Sequence, residues 1–206
     1  VNFRPGDGVY VAGGDETIKV DLSGNTTTFL DHQGFNAIGG CFDSSFDHLF
    51  LPASSACDHI KKIEIQTKTA SQIPIPADSI VFDIELDSSG NIYIPILMVQ
   101  GDLLIRIMHE DGTVVADHQL PSTYSNVQGI HWFDSTHLIV CFPDERAVEL
   151  LDVTNGDWKP FAHDLGGVGD SVQLLDGSFA ISAMSEGVLY RFYEDQSSVY
   201  VWQLLD

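Results

Sequence analysis

HWFDSTHLIVCFPDERAVELLDVTNGDWKPFAHDLGGVGD, residues His131 to Asp170, is the stretch that decides the fold. It opens on an apolar strand that runs into a tight turn at Asp134-Ser135-Thr136, and a second apolar strand follows from His137 to Phe142. The polar loop Pro143-Asp144-Glu145-Arg146 leads to a third strand, Ala147 to Val153. A turn at Thr154-Asn155-Gly156 then gives way to a weaker fourth strand, Trp158 to Ala162. Short apolar runs separated by Asp, Asn, Ser and Gly are strands joined by tight turns, because those residues supply the local hydrogen bonds and positive φ that turns need. Four such strands in about 40 residues make one antiparallel meander, and a repeat of that length is the mark of a β-propeller blade.

The rest of the chain repeats the unit in both directions. Strands are lettered A, innermost, to D, outermost. Upstream, blade 3 has A at Val81 to Leu86, B at Asn91 to Ile96, C at Leu103 to Met108 and D at Thr113 to Ala116. Blade 2 has an A strand ending at Phe42-Asp43, B at His48 to Leu51, C at Ile60 to Ile65 and D around Ser71 to Ile75. Pro74 and Pro76 have no N–H to give a ladder, which places that D strand at an outer edge. Blade 1 has a short A strand at Val1 to Phe3, then Val9 to Ala12, Thr17 to Asp21 and Thr26 to Leu30. Downstream, blade 5 has A at Val172 to Leu175, B at Phe179 to Ala183, C at Val188 to Tyr193 and D at Val199 to Trp202, extended by Gln203 to Leu205. Asp43, Asp87, Asp134 and Asp176 all close an A strand, where a short carboxylate can accept from the backbone two residues on. The expectation is a single all-β domain, a β-propeller of five four-stranded antiparallel blades, bounded near 1–33, 34–76, 77–120, 121–169 and 170–206. A six-bladed ring is the alternative.

Composition narrows the partners. Nine Lys and Arg stand against 30 Asp and Glu, a net charge of -21. That balance opposes nucleic-acid backbones and anionic membranes, so neither is expected as a partner. No apolar run has the length of a membrane-spanning helix. The three cysteines, Cys41, Cys57 and Cys141, do not make a disulfide framework. Free thiols favour a cytoplasmic location, while the sequon at Asn25-Thr26-Thr27 leaves secretion open.

With the blades placed, several segments resemble the NHL-repeat propellers and the senescence-marker-protein/gluconolactonase family. Gln128-Gly129-Ile130-His131-Trp132-Phe133-Asp134, followed by His137-Leu138-Ile139-Val140 and Arg146-Ala147-Val148, is similar to that family's inner-strand and middle-strand segments. Gly169-Asp170-Ser171-Val172 with Asp176-Gly177, and Phe82-Asp83-Ile84 with Asp87 to Tyr93, look like further blades of the kind. The resemblance covers nearly the whole chain. It implies one divalent cation, Ca²⁺ or Mg²⁺, held by oxygen ligands at the mouth of a central channel. Asp170 matches the family's aspartate, Gln128 stands where an asparagine is the rule, and Asn36 or Asp83 would add oxygens. The activity implied is lactone hydrolysis, and related propellers of this character act as metal-free cyclases.

In a propeller the D–A and B–C connections share one face, and the longer loops make it the binding face. The D–A segments bring Asn36, Asp83, Tyr124, Asn126, Gln128 and Asp170 there, and the B–C loops add Met98, Arg146, Met184 and Glu186. Asp170, Asp83 and His131 are the catalytic candidates, the two aspartates as base or as cation ligands and His131 as an inner-strand histidine. Asn36, Tyr124, Asn126, Gln128, Arg146 and Met98 are the candidates for holding a small molecule. The structural reading is that these groups hydrogen-bond the loops to one another. The Asp-His pairs at 31–32, 47–48, 58–59 and 117–118 read as structural, since neighbours on a strand point to opposite sides. There is no zinc spacing, G-x-S-x-G elbow, phosphate loop or dinucleotide fingerprint. The function expected is a propeller holding a small organic molecule in its funnel, as a hydrolase or cyclase. A non-catalytic module for a protein or glycan is the alternative.

Overall fold

The computed structural model describes residues 2–32, 34–53, 55–174, 176–183, 185–193 and 199–203. Val1, Leu175, Met184 and Leu204-Leu205, named above, lie outside them. The described residues form strands and turns throughout, in two compact units, Val1–Asp117 and His118–Asp206.

The first unit begins with β1 (Asn2–Arg4), β2 (Gly8–Gly14), β3 (Glu16–Asp21) and β4 (Thr26–Asp31), antiparallel neighbours in that order. The inner side of β2 is shared. Its first half pairs β1, and Gly13 and Gly14 pair β5 (Ala37–Ile38). Next come β6 (Cys41–Phe42), β7 (His48–Leu51), β8 (Cys57–Glu64) and β9 (Ala70–Val81), then β10 (Glu85–Leu86), β11 (Ile92–Leu97), β12 (Leu103–Met108) and β13 (Val114–Gln119). These two meanders are one sheet of eight strands because β9 belongs to both. Its start pairs β8 from His59↔Pro74 to Ile63↔Ala70, and its end pairs β11 at Val81↔Ile96. Residues with apolar β-branched side chains fill the space inside. Ile60, Val81, Ile92, Ile94 and Ile96 are fully buried, with Phe50 and Cys41 among them. Tyr10, Phe29, Leu49, Leu51 and Ile63 form a second cluster.

The second unit holds β14 (Gly129–Trp132), β15 (His137–Phe142), β16 (Ala147–Asp152) and β17 (Trp158–Ala162), and then β18 (Val168–Gln173), β19 (Phe179–Ala183), β20 (Val188–Phe192) and β21 (Val199–Gln203). Each set is a four-stranded antiparallel sheet in sequence order. The first is the meander read from His131 to Asp170. Ile139, Cys141, Val148, Phe161, Val168, Phe179 and Ile181 pack between the two sheets. Ring contacts continue that core, with Phe133 stacked on Phe179 at 5.0 Å.

The aspartate turns form as the sequence implies. The Asp87 carboxylate accepts from Ser89 N–H (2.8 Å), Asp134 from Thr136 N–H (2.7 Å) and Asp176 from Ser178 N–H (3.1 Å). Asp43 reaches further, to Asp47 N–H at 2.9 Å, because its turn carries an extra residue with Phe46 at φ 60°. None of the three cysteines is in a disulfide; Cys41 and Cys141 are buried and Cys57 is half-buried.

Two inner strands differ from expectation. The A strand of blade 3 is broken: β9 ends at Val81, β10 starts at Glu85, and Phe82-Asp83-Ile84 lie between. Phe82 donates to the Pro95 carbonyl at 3.1 Å, but Pro95 has no N–H to return, so the ladder lapses there. The A strand of blade 5 starts earlier, at Val168 rather than Val172. Gly166 and Gly167 read as turn, yet Val168 directly after them pairs Ala183.

Candidate functional site

The two inner-strand aspartates occupy matching irregularities. From Val81↔Ile96 to Glu85↔Tyr93 the inner strand advances four residues against three on its partner, and Asp83 sits in the surplus. From Val168↔Ala183 to Ser171↔Ile181 it advances three against two, and the surplus is Gly169-Asp170. An extra residue in one strand is a β-bulge, which re-aims a side chain that regular alternation would bury.

The setting of Asp170 is specific. Its N–H donates to the Ser182 hydroxyl at 2.9 Å, so a side chain opposite the bulge replaces the lost ladder bond. Its Oδ1 accepts from Ser171 N–H at 2.7 Å. Gly129 of β14 faces it, where a side chain would collide: a Cβ there would stand 2.7 Å from Asp170 Oδ1 and 2.9 Å from the Gly169 carbonyl. The same relation recurs in the first unit, where a Cβ on Gly39, at φ 59°, would stand 2.9 Å from Asp83 Oδ1. Repeat geometry thus sets a glycine of one blade against a bulged aspartate of the next.

The two carboxylates part in their access to water. Asp170 is exposed, whereas Asp83 is 9% exposed. Burial pushes the buried Cys41 thiol well up, and the Glu85 and Asp83 charges push the same way. Although Asp170 touches solvent, protein crowds it on most sides, and that desolvation raises its pKa above the ordinary 3.8. The Ser171 N–H and the charge of nearby His131 oppose the rise without cancelling it. His131 lies on regular β14 opposite Ile139. Asp170 and His131 lie on neighbouring strands of one unit, β18 and β14, near enough for the histidine's charge to act on the carboxylate. Ser171, next to Asp170, is 5% exposed, and its buried hydroxyl has no hydrogen-bond partner among the described residues.

The ligand candidates fall in separate places. In the first unit, Asn36 is exposed beside Gly14, with its Oδ1 3.9 Å from where a Cβ there would stand. Met98 packs its side chain against the first core cluster, and its backbone closes a turn with Asp102 and Gly101. In the second unit, Gln128 N–H donates to the Cys141 carbonyl at 3.0 Å and extends the β14 ladder. Asn126 is half-buried in the same segment. Arg146, at φ 56°, spends its guanidinium on the carbonyls of Leu165 (3.2 Å) and Asp164 (3.0 Å). It clamps the connection that leads to β18.

Tyr124 stacks on Phe142 with ring centroids 4.1 Å apart, and its hydroxyl donates to Glu149, which lifts the tyrosine pKa through burial and that carboxylate. Glu149 is the residue that the sequence reading missed. It is 4% exposed in the middle of β16, and His163 Nε2 lies 3.7 Å from its Oε1. An acid inside the apolar run Ala147-Val148-Glu149-Leu150-Leu151 was the available signal. Its partners make it the anchor of the loop that carries Asn126 and Gln128.

The Asp-His pairs divide among structural partners. Asp117 takes Arg106 in a two-pronged pair at 2.8 Å, and His48 bonds Asp43 at 2.8 Å. His59 and Asp58 do bond one another, at 2.7 Å, because a register shift between Cys57 and His59 turns both side chains to one side. Among the described residues no three His, Cys, Asp or Glu side chains gather as a metal group. Asp170 has serines and a histidine about it, short of the roughly six to eight oxygens that Ca²⁺ takes, so this set does not fit a cation cage.

Comparison with known proteins agrees on the fold. No family model and no curated protein sequence matches the chain. Solved structures do. One from a nidogen/laminin complex has a TM-score of 0.76 at 14% identity, over 93% of this chain and 76% of the other. A protein proposed to be a gluconolactonase gives 0.74 at 12% identity, over 93% and 71%. A streptogramin B lyase gives 0.73 at 16% identity, over 100% and 68%.

Proposed function

The chain has the β-propeller fold, and from that premise we propose that it binds a small organic molecule against the Asp170 bulge and acts on it by proton transfer, as a hydrolase or cyclase of cyclic esters. The observation that carries this reading is Asp170 itself, a solvent-touching carboxylate with a raised pKa, turned out of an inner strand by a bulge. A carboxyl that keeps its proton nearer neutral pH can give it to a leaving or carbonyl oxygen, and His131 beside it can take one from water or a substrate hydroxyl. Bulges are over-represented next to active sites, where they re-aim a side chain. The neighbours described as a gluconolactonase and a streptogramin B lyase support a small-molecule substrate, not its identity.

The test is a turnover screen across lactones and cyclic depsipeptides with Asp170→Asn and His131→Gln beside the unaltered protein. Loss of a general acid or base lowers the rate on the order of 10²- to 10⁴-fold. Turnover unchanged in Asp170→Asn would overturn the assignment. Saturable ligand binding with no turnover would make the propeller a binding module.

A further inference from the structure

The first unit carries a cavity of about 700 Å³ that none of the residues discussed as catalytic or ligand candidates lines. It opens among the A–B and C–D turns, opposite the D–A and B–C connections. The volume lies within the range of small-molecule sites. Phe29 and Ile65, 7% and 6% exposed, supply its apolar wall.

Its charges are unusual for this chain. Arg4, Lys19 and Lys68 line it, three of only nine Lys and Arg, and Asp7, Asp47 and Glu64 line it with them. Six charges sum to zero inside a protein of net charge -21. Most are already spent. Asp7 accepts from Arg4 (3.1 Å) and from Lys19, and Glu64 accepts from Thr67 at 2.7 Å. Two remain. The Asp47 carboxylate takes no hydrogen bond or ion pair among the described residues; only its backbone is engaged, the N–H donating to Asp43 and the carbonyl accepting from Ile65 N–H. The Lys68 ammonium stands over the Phe29 ring, 5.0 Å from its centroid, with no carboxylate partner among the described residues. Its backbone is fixed at φ 59° by a 2.8 Å bond from its N–H to the Glu64 carbonyl.

We propose that this cavity is a site for a small zwitterion, an α-amino acid with an apolar side chain. Its ammonium meets Asp47, its carboxylate meets Lys68, and its side chain lies on Phe29 and Ile65. A dianion would face Asp47 and Glu64 as well as the acidic surface, and a simple cation would face Lys68. A molecule of both signs and no net charge answers the two unspent groups together.

The experiment is titration calorimetry with L-leucine, N-acetyl-L-leucine and L-leucinamide, the last two lacking one charge each. L-leucine is expected to bind tenfold or more tighter than either, the scale of one charge-assisted hydrogen bond. Asp47→Asn should weaken L-leucine about tenfold and leave N-acetyl-L-leucine unchanged. Lys68→Gly, which suits the left-handed backbone and so preserves folding, should weaken L-leucine similarly and leave L-leucinamide unchanged. Asp170→Asn should leave all three unaltered, which keeps this site separate from the acid–base site. No saturable binding at millimolar L-leucine, equal binding of the capped forms, or binding that survives both cavity variants would overturn the proposal.

Discussion

Gly129 stands against Asp170 with no room for a methyl group: the nearest atoms a Cβ would meet are Asp170 Oδ1 at 2.7 Å and the Gly169 carbonyl at 2.9 Å. Backbone cannot swing aside as a flexible side chain does. Gly129→Ala should therefore cost about 1–3 kcal/mol, the usual range for an overpacked site. Because the collision falls on the bulge, the same change should reduce any turnover that depends on Asp170. Chemical denaturation and the turnover screen, run together, check both effects.

Asp170 should make the protein less stable at neutral pH than its uncharged replacement. Its folded pKa lies above the ordinary 3.8, because desolvation penalises the charge. The native state then holds its proton more tightly than the unfolded state, so stability falls as pH rises through the window above 3.8. Asp170→Asn keeps an oxygen for Ser171 N–H and removes the charge. Its melting midpoint should exceed the parent's at pH 7, and the two should converge as the pH is lowered toward 3.8. Turnover that uses the protonated acid should decline across the same window as pH rises.

Asp7 should act in the opposite sense. Hydrogen bonds from Lys19 and Tyr10, with Arg4 behind them, hold its carboxyl down at about 2 against an ordinary 3.8. Stability from this group is complete above 3.8 and is lost as pH falls toward about 2. With the carboxylate partly exposed, the contribution is about 1–2 kcal/mol. An acid titration followed by circular dichroism should show Asp7→Asn less stable than the parent at pH 7 and equal to it near pH 2.

A divalent cation should leave the melting midpoint where it is. The groups around Asp170 do not amount to an oxygen cage, and any ion that preferred the folded state would have to raise the midpoint. Melts with Ca²⁺, Mg²⁺, Mn²⁺ and EDTA check this. A cation-specific rise reversed by EDTA, and lost in Asp170→Asn, would restore the metal reading.

The strands and turns of the His131 to Asp170 stretch were legible because each strand is a short apolar run closed by Asp, Asn or Gly, whose turn chemistry is local. Asp43, Asp87, Asp134 and Asp176 could be placed for the same reason. The bulges at Asp83 and Asp170 were not legible, since a one-residue surplus depends on what lies across the ladder: Pro95 without its N–H in one case, the Ser182 hydroxyl in the other. Arg146 looked like a ligand group because loop arginines are free to be one; its bonds to two carbonyls of the following connection are a tertiary fact. Glu149 could have been found, as an acid in an apolar strand always needs a partner.

One strand serves two sheets. β9 leaves β8 and joins β11 within one strand, Ala70–Val81, which turns at Asp78, φ 59°. Elsewhere a connecting loop separates one meander from the next, and there a foreign segment or a chain cut could be accommodated by the loop alone. Between Pro74 and Val81 no loop separates the two pairings. A splice at that seam would unzip both leaves at once, so circular permutants and inserted tags belong at the loop after β13, and recombination between relatives should respect residues 48 to 108 as a single block.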